Sequence, residues 1–192
     1  KRIILLSFVS MLLSVGTTMA EGISSAWELV AFATAANAGE DITPWADREG
    51  VISLTADIDM AKVKDFVPIA VFDGIFDGGC HTISNWKTTA GLFHIVSEKA
   101  VVRNLTIDAS CSMKCTDNGE EFYAGFIADV NHGTLEGCIN RGQISHRSGK
   151  SLMSNYVGGI CGMNKYIVIN CDNYGNVSSS GNFGGNLDNR SA

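Results

Sequence analysis

The chain has 192 residues with 20 Asp and Glu against 14 Lys and Arg, a formal net charge of -6, and 45% hydrophobic residues. An acidic chain without a basic stripe argues against a nucleic-acid partner, and this apolar content argues against a disordered one. A chain of this length suffices for one domain with its own core.

Residues 1–20 read as a secretory signal peptide: Lys1-Arg2, an apolar run from Ile3 to Val15, and the small-residue site Thr18-Met19-Ala20. The run is shorter than the ~20 residues that span a bilayer, so no transmembrane segment is expected in the mature chain. No Cys follows Ala20, which argues against a lipid anchor, and cleavage there leaves 12 basic against 20 acidic residues. The expected location is extracellular, at a cell surface.

Residues 21–50 are expected to form a helical cap and connector. Ser25-Ala26-Trp27-Glu28 is a capping box, Leu29, Val30, Ala33 and Ala36 follow at helical spacing, and Gly39 stops the helix. Such a helix can cover the first edge of a stack of strands, whose unpaired groups would otherwise recruit other chains. Trp27 is expected to pack on that edge.

From residue 51 to 192 the chain reads as stacked coils. Tyr123 to Ser145 recurs at Tyr156 to Ser178, an unbroken offset of 33 residues. Within it Cys138, Asn140 and Gly142 answer Cys171, Asn173 and Gly175. A repeat of this period signals units that bury their apolar faces only against one another. Short β-branched runs between Gly and Asn corners suit strands, three to a copy, with positive φ expected at Gly142 and Gly175. Asn140 and Asn173 are expected to bond the backbone of the neighbouring coil. Ala90-Gly91-Leu92-Phe93 with Val101 to Ile107 is a fainter copy, displaced by a single indel. Phe183 to Leu187 starts another, so the solenoid is expected to be truncated at the C-terminus.

The six Cys are spread too widely for a disulfide scaffold. Cys138 and Cys171 are expected to form a ladder of buried thiols, whereas Cys111 and Cys115 share a polar loop and could pair. No Cys-x-x-Cys pair or His pair has zinc spacing.

Leu54-Thr55-Ala56-Asp57-Ile58-Asp59, Pro68-Ile69, Phe72 to Asn85, Ala90 to Phe93 and the two Gly-Gly-type repeats resemble the GLUG-motif family of secreted bacterial surface proteins. Its repeats also occur in auxiliary regions of IgA-peptidase-like proteins. The resemblance covers most of the mature chain, with Cys80 and Phe126 as departures. It implies an all-β fold, a right-handed parallel β-helix on a cell surface.

The functional expectation is a non-catalytic repeat module for adhesion, or for display of another module, with a host surface protein or glycan as partner. The alternative is a carbohydrate-active β-helix enzyme, a polysaccharide lyase or hydrolase. Such hydrolases need paired carboxylates, no Asp-Asp pair is present, and Asn131-His132-Gly133 is only faintly similar to the Gly-His-Gly of polygalacturonases. No cofactor is expected. Asp57, Asp59, Asp73 and Asp77 are the set that could gather around Ca²⁺, turn formation being the favoured reading. His81 and His94 have no evident partners. Candidate binding residues lie in two extended loops, Ser110 to Glu121 and His146 to Asn155: Lys114, Asp117, Glu120 and Glu121 in the first, His146, Arg147 and Lys150 in the second. Insertions in repeat proteins collect on one face, often the binding one.

Overall fold

Alternating β-branched and aromatic residues, interrupted every few positions by Gly or Asn, make strands of two to five residues that stack on their equivalents one turn later. The computed structural model, which describes residues 22–117, 120–149 and 154–180, is a parallel β-helix of 20 strands in five sheets. The first turn holds β1 (Val51–Ser53), β2 (Ile58–Asp59) and β3 (Ile69–Phe72). The second holds β4 (Ile75–Asp77), β5 (Thr82–Ser84), β6 (Lys87–Thr88) and β7 (Phe93–Val96). The third holds β8 (Val101–Arg103), β9 (Thr106–Ile107), β10 (Ser112–Thr116), β11 (Phe122–Ala124) and β12 (Ala128–Asn131). The fourth repeats it with β13 (Thr134–Glu136), β14 (Ile139–Asn140), β15 (Gln143–Arg147), β16 (Asn155–Val157) and β17 (Cys161–Asn164). A fifth turn is described through β18 (Ile167–Ile169), β19 (Asp172–Asn173) and β20 (Val177–Ser180).

The solenoid therefore widens along its axis. Val51 pairs with Ile75, Ile75 with Val101, Val101 with Thr134 and Thr134 with Ile167. The 33-residue spacing begins with the third turn, where β10 and β15 are offset by 31 instead, and the expected three strands per copy describe the first turn alone. Later turns add the β6–β10–β15–β20 sheet and then the β11–β16 pair. The fainter copy is displaced by two residues rather than one: Phe93 pairs with Ala128, but Val101 with Thr134, because the corner from Ser97 to Ala100 is longer.

Register turns the sequence into columns. Ile52, Phe76, Val102, Leu135 and Val168 form one; Ile58, Ile83, Ile107, Asn140 and Asn173 form another. The second changes from aliphatic to amide at the fourth turn. Phe72, Phe76 and Phe93 meet in the lower core with ring centroids 4.9–6.3 Å apart, favourable aromatic spacings.

Helix α1 (Ala26–Ala38) closes the lower end. Ser25 Oγ accepts from Glu28 N, while the Glu28 carboxylate reaches back to Ser24 N at 2.7 Å, and Gly39 ends the helix in the left-handed region at φ 68°. Its buried face is Leu29, Phe32, Ala33 and Ala35; Phe32 meets Phe72, Phe76 and Trp45. Asn37 then covers the free edge of β3, accepting from Ala70 N at 2.7 Å and donating to Pro68 O at 2.9 Å. Trp27 does not pack on this edge; it is 63% exposed, because it lies on the face opposite Phe32.

The corners are not turned at Gly142 and Gly175, neither of which has a positive φ. Those glycines allow close approach: a Cβ on Gly142 would meet the Phe126 ring at 2.8 Å, and one on Gly175 would collide with Gly142 O. The left-handed corners fall at Asn104, Gly137 and Asn170, with Asn85 on another side of the coil. Asn tolerates that region better than most residues.

Candidate functional site

The two loops are partly strand. Ser112 to Thr116 and Gln143 to Arg147 pair residue for residue as β10 and β15, so alternate side chains of the predicted loops point into the coil. Cys115 and His146 face inward in one column on successive turns, with Ser179 next above them. Lys114 and Arg147 face solvent, as do Glu120 and Glu121, and Lys150 lies outside the described residues.

Asp117 and His146 are thereby corrected from surface contacts to internal braces. Both are buried. Asp117 Oδ2 accepts from Gly149 N at 2.8 Å and from Asn155 Nδ2 at 3.3 Å, tying the two connections together. His146 bonds Ser179 Oγ through Nδ1 at 2.9 Å, stacks on Phe122 at 5.2 Å and places Nε2 3.6 Å from Asp117 Oδ2. Burial holds its basicity below the ordinary value despite the neighbouring carboxylate.

What remains outside forms a stepped face. Tyr123 on β11 and Tyr156 on β16 stack with centroids 5.3 Å apart and planes 13° from parallel. The Tyr123 hydroxyl bonds to the Glu121 carboxylate, which pushes its pKa up to about 12. Lys114, Arg147 and Glu120 complete the exposed candidates. Of the predicted loop residues, Asp117 and His146 are brought together.

The four aspartates do not gather. Asp57 accepts from Thr82 N and lies 3.3 Å from His81, and Asp59 accepts from Ala61 N and Asn85 Nδ2. Asp77 accepts from Gly79 N, Asn104 Nδ2 and, at 2.7 Å, Arg103 Nε. Asp73 stands apart on the β3–β4 connection. Among the described residues no three His, Cys, Asp or Glu side chains are placed to share a cation.

Both partnerless histidines have partners. His81 has Asp57, and half-exposed His94 bonds Asp129 Oδ2 at 2.9 Å, an interaction that raises its pKa. Asp129 is buried and its Oδ1 also accepts from Gly91 N at 3.1 Å and Gly125 N at 3.3 Å. The sequence hides this pair because Phe126-Ile127-Ala128-Asp129-Val130 reads as an apolar strand; only the stacking of β7 on β12 brings Asp129 beside His94.

The repeat positions build ladders. Asn140 Nδ2 donates to Asn173 Oδ1 at 2.8 Å and to Gly142 O, while Gly142 N returns a bond to Asn140 Oδ1. Asn131 and Asn164 repeat the device at 2.8 Å on another side, a second ladder visible in the same offset. All six cysteines are free thiols. Cys138 N donates to Cys171 Sγ at 3.3 Å, and the close pairing of the two side chains raises the Cys138 pKa and lowers that of Cys171. Cys111 and Cys115 cannot pair, because four steps of extended strand separate them by ~13 Å, against the ~5.5–6 Å a bridge requires.

No family model matches the chain, and no curated protein does either. Comparison with solved structures finds a crystal structure of a "putative immunoglobulin A1 protease" from Bacteroides ovatus, at 19% identity and a TM-score of 0.43. The match covers 70% of this chain and 56% of that one, and at this level it adds nothing to the fold derived above. No helix among the described residues is long and apolar enough to cross a membrane.

Proposed function

We propose that the chain is a secreted, non-catalytic β-helix module that serves adhesion, or displays another module, at a bacterial surface, with a host protein or glycan as partner. The observation that carries this reading is how the enclosed carboxylates are used. A hydrolase of glycans needs two carboxyl groups flanking one bond, one of them kept protonated. Burial alone would raise the Asp77 pKa, but bonds from Gly79, Asn104 and Arg103 outweigh it and hold the group ionised. Asp117 and Asp129 are likewise engaged by backbone amides of the turns they brace.

The signal-like residues 1–20 support export. The wider third and fourth turns support display, because Met113, Cys115, Ile144 and His146 of their added strands fill the interior while Lys114, Arg147, Glu120, Glu121 and the tyrosines are carried on the outside. The mature chain is expected to leave pectins, other polyuronides and neutral glycans intact, with or without Ca²⁺. Robust turnover lost in Asp77→Asn or His132→Ala would sink the non-catalytic reading. Trimming the connections after Asp117 and after Gly149, with the Asp117 brace kept, is expected to leave thermal stability nearly unchanged and to abolish attachment to host surfaces. Full attachment by the trimmed protein would move the partner elsewhere.

A further inference from the structure

The first turn has no strand beneath β6. Its chain from Met60 to Pro68 takes an irregular path instead, so the β6–β10–β15–β20 sheet has an open edge at Lys87. A cleft of about 450 Å³ remains between that edge and the irregular segment, lined by Met60, Ala61, Val63 and Lys64 on one wall and Asn85, Lys87 and Ser110 on the other. Its size falls within the roughly 300–1,000 Å³ of clefts that hold small ligands.

The lining has a definite chemistry. Lys64 and Lys87 are exposed, and neither has an ion-pair partner among the described residues. The cleft thus presents two ammonium groups on a chain of net charge -6. The nearby carboxylates hold the second wall in place: Asp59 accepts from Asn85 Nδ2 at 2.9 Å, and Asp108 accepts from Ser110 N at 2.8 Å. Asn85 N donates to Ser110 Oγ at 2.8 Å, so this wall is fixed before any ligand arrives. Trp86, buried between the two lining residues and met edge-on by Phe66 at 5.5 Å, anchors it. With its amide nitrogen committed to Asp59, Asn85 keeps Oδ1 as an acceptor, and Met60 and Val63 supply apolar surface.

We infer that this cleft is a subsite for a carboxylated sugar unit of an acidic glycan, an inference that rests on the adhesive reading above. The two ammonium groups take the carboxylate, the Asn85 carbonyl accepts a sugar hydroxyl, and the aliphatic side chains cover the C–H face of the ring. A bare inorganic anion gains nothing from the Asn85 carbonyl or the apolar wall. A neutral sugar gains nothing from the lysines.

The test is calorimetric titration of the full mature chain with a galacturonate oligosaccharide, its uncharged galactose counterpart and inorganic phosphate, alongside Lys64→Ala, Lys87→Ala and the double variant. Binding is expected for the uronate alone, weakened about tenfold by each substitution, as for loss of a charged hydrogen bond. Both lysines are exposed, so thermal unfolding of the variants should match the parent. Equal binding of the galactose oligosaccharide, phosphate competing as well as uronate, or a double variant that binds like the parent would each overturn the inference. Attachment of parent and double variant to host surfaces separates the two readings. If both attach equally, the cleft is not the subsite and the adhesive reading survives; if neither binds any surface or glycan, the adhesive reading fails with it.

Discussion

Phe76 in the second turn and Val168 in the fifth occupy the same column of the same sheet, yet Phe76 is 0% and Val168 38% exposed. The residue types are comparable; the neighbours differ. Phe76 has a turn above it and β1 and Phe32 of the helix below, whereas no described turn stands above β18. Tyr166, Ile167, Ile169 and Tyr174 of that turn are exposed as well. Burial in this fold is thus a property of adjacency, and stability should follow nearest-neighbour contacts and not residue identity.

The sharpest way to break that comparison is to cut both ends of the column. Phe76→Ala is expected to cost about 3–5 kcal/mol, as for an aromatic removed from a core. Val168→Ala should cost about 1 kcal/mol or less, since only part of a smaller side chain is buried. Urea unfolding of the two variants measures the difference, and comparable losses would mean that the fifth turn is covered as well as the second.

Removing the cap sharpens it from the other side. Phe32→Ala is expected to cost about 3 kcal/mol, as for loss of a buried aromatic, and to speed hydrogen exchange in β1 and β3 while leaving β13 to β15 slow. Uniform acceleration along the solenoid would show that the turns unfold as one unit and that adjacency is not the controlling variable.

The asparagine ladder offers a smaller contrast. Asn140 is buried with partners on its own turn and on the next, while Asn173 is exposed. Asn140→Ala should cost about 1–3 kcal/mol through the amide and carbonyl it orphans, and Asn173→Ala clearly less. Smallest are the opposed pH effects of two histidines. His94, raised by its bond to Asp129, stabilises fully below the unfolded value of about 6.5 and loses that contribution as pH rises through its higher folded value. His146, lowered by burial, contributes above about 6.5 and loses it as pH falls through its folded value. His94→Gln should flatten the alkaline side of a stability-pH curve and His146→Gln the acidic side; the reverse assignment would contradict the burial described here.

The parallel β-helix and its capping helix were legible because repetition and helix caps are written in single residues: Cys138 to Cys171, Asn140 to Asn173, Ser25, Gly39. The widening was not, since β1 and β2 lack the Gly-Gly corners that mark later turns. Phe32 escaped because Leu29, Val30, Ala33 and Ala36 already completed a helical stripe. At the candidate face, Asp117 and His146 looked like loop residues because charged and polar types suggest exposure. Strand parity placed them inside, and only the register of β10 on β15 fixes that parity. Gly142 and Gly175 were misread for a related reason: a glycine tells that a side chain is intolerable, but not whether φ or a neighbouring turn makes it so.

The constant pairing of Ala128 with Cys161, Thr134 with Ile167 and Ile144 with Val177 has a genetic consequence. Unequal crossing-over between the two repeats would add or delete a complete turn and leave every column in register, so whole-turn duplication is a mutation that selection can tolerate without repair elsewhere. Each such event changes the reach of the displayed face by ~4.8 Å, one strand spacing. Insertions of other lengths are absorbed at the corners, as between β9 and β10, a connection two residues longer than its equivalent between β14 and β15. Lineages of this gene should therefore diverge in two separate modes, quantised in turn number and continuous at the corners.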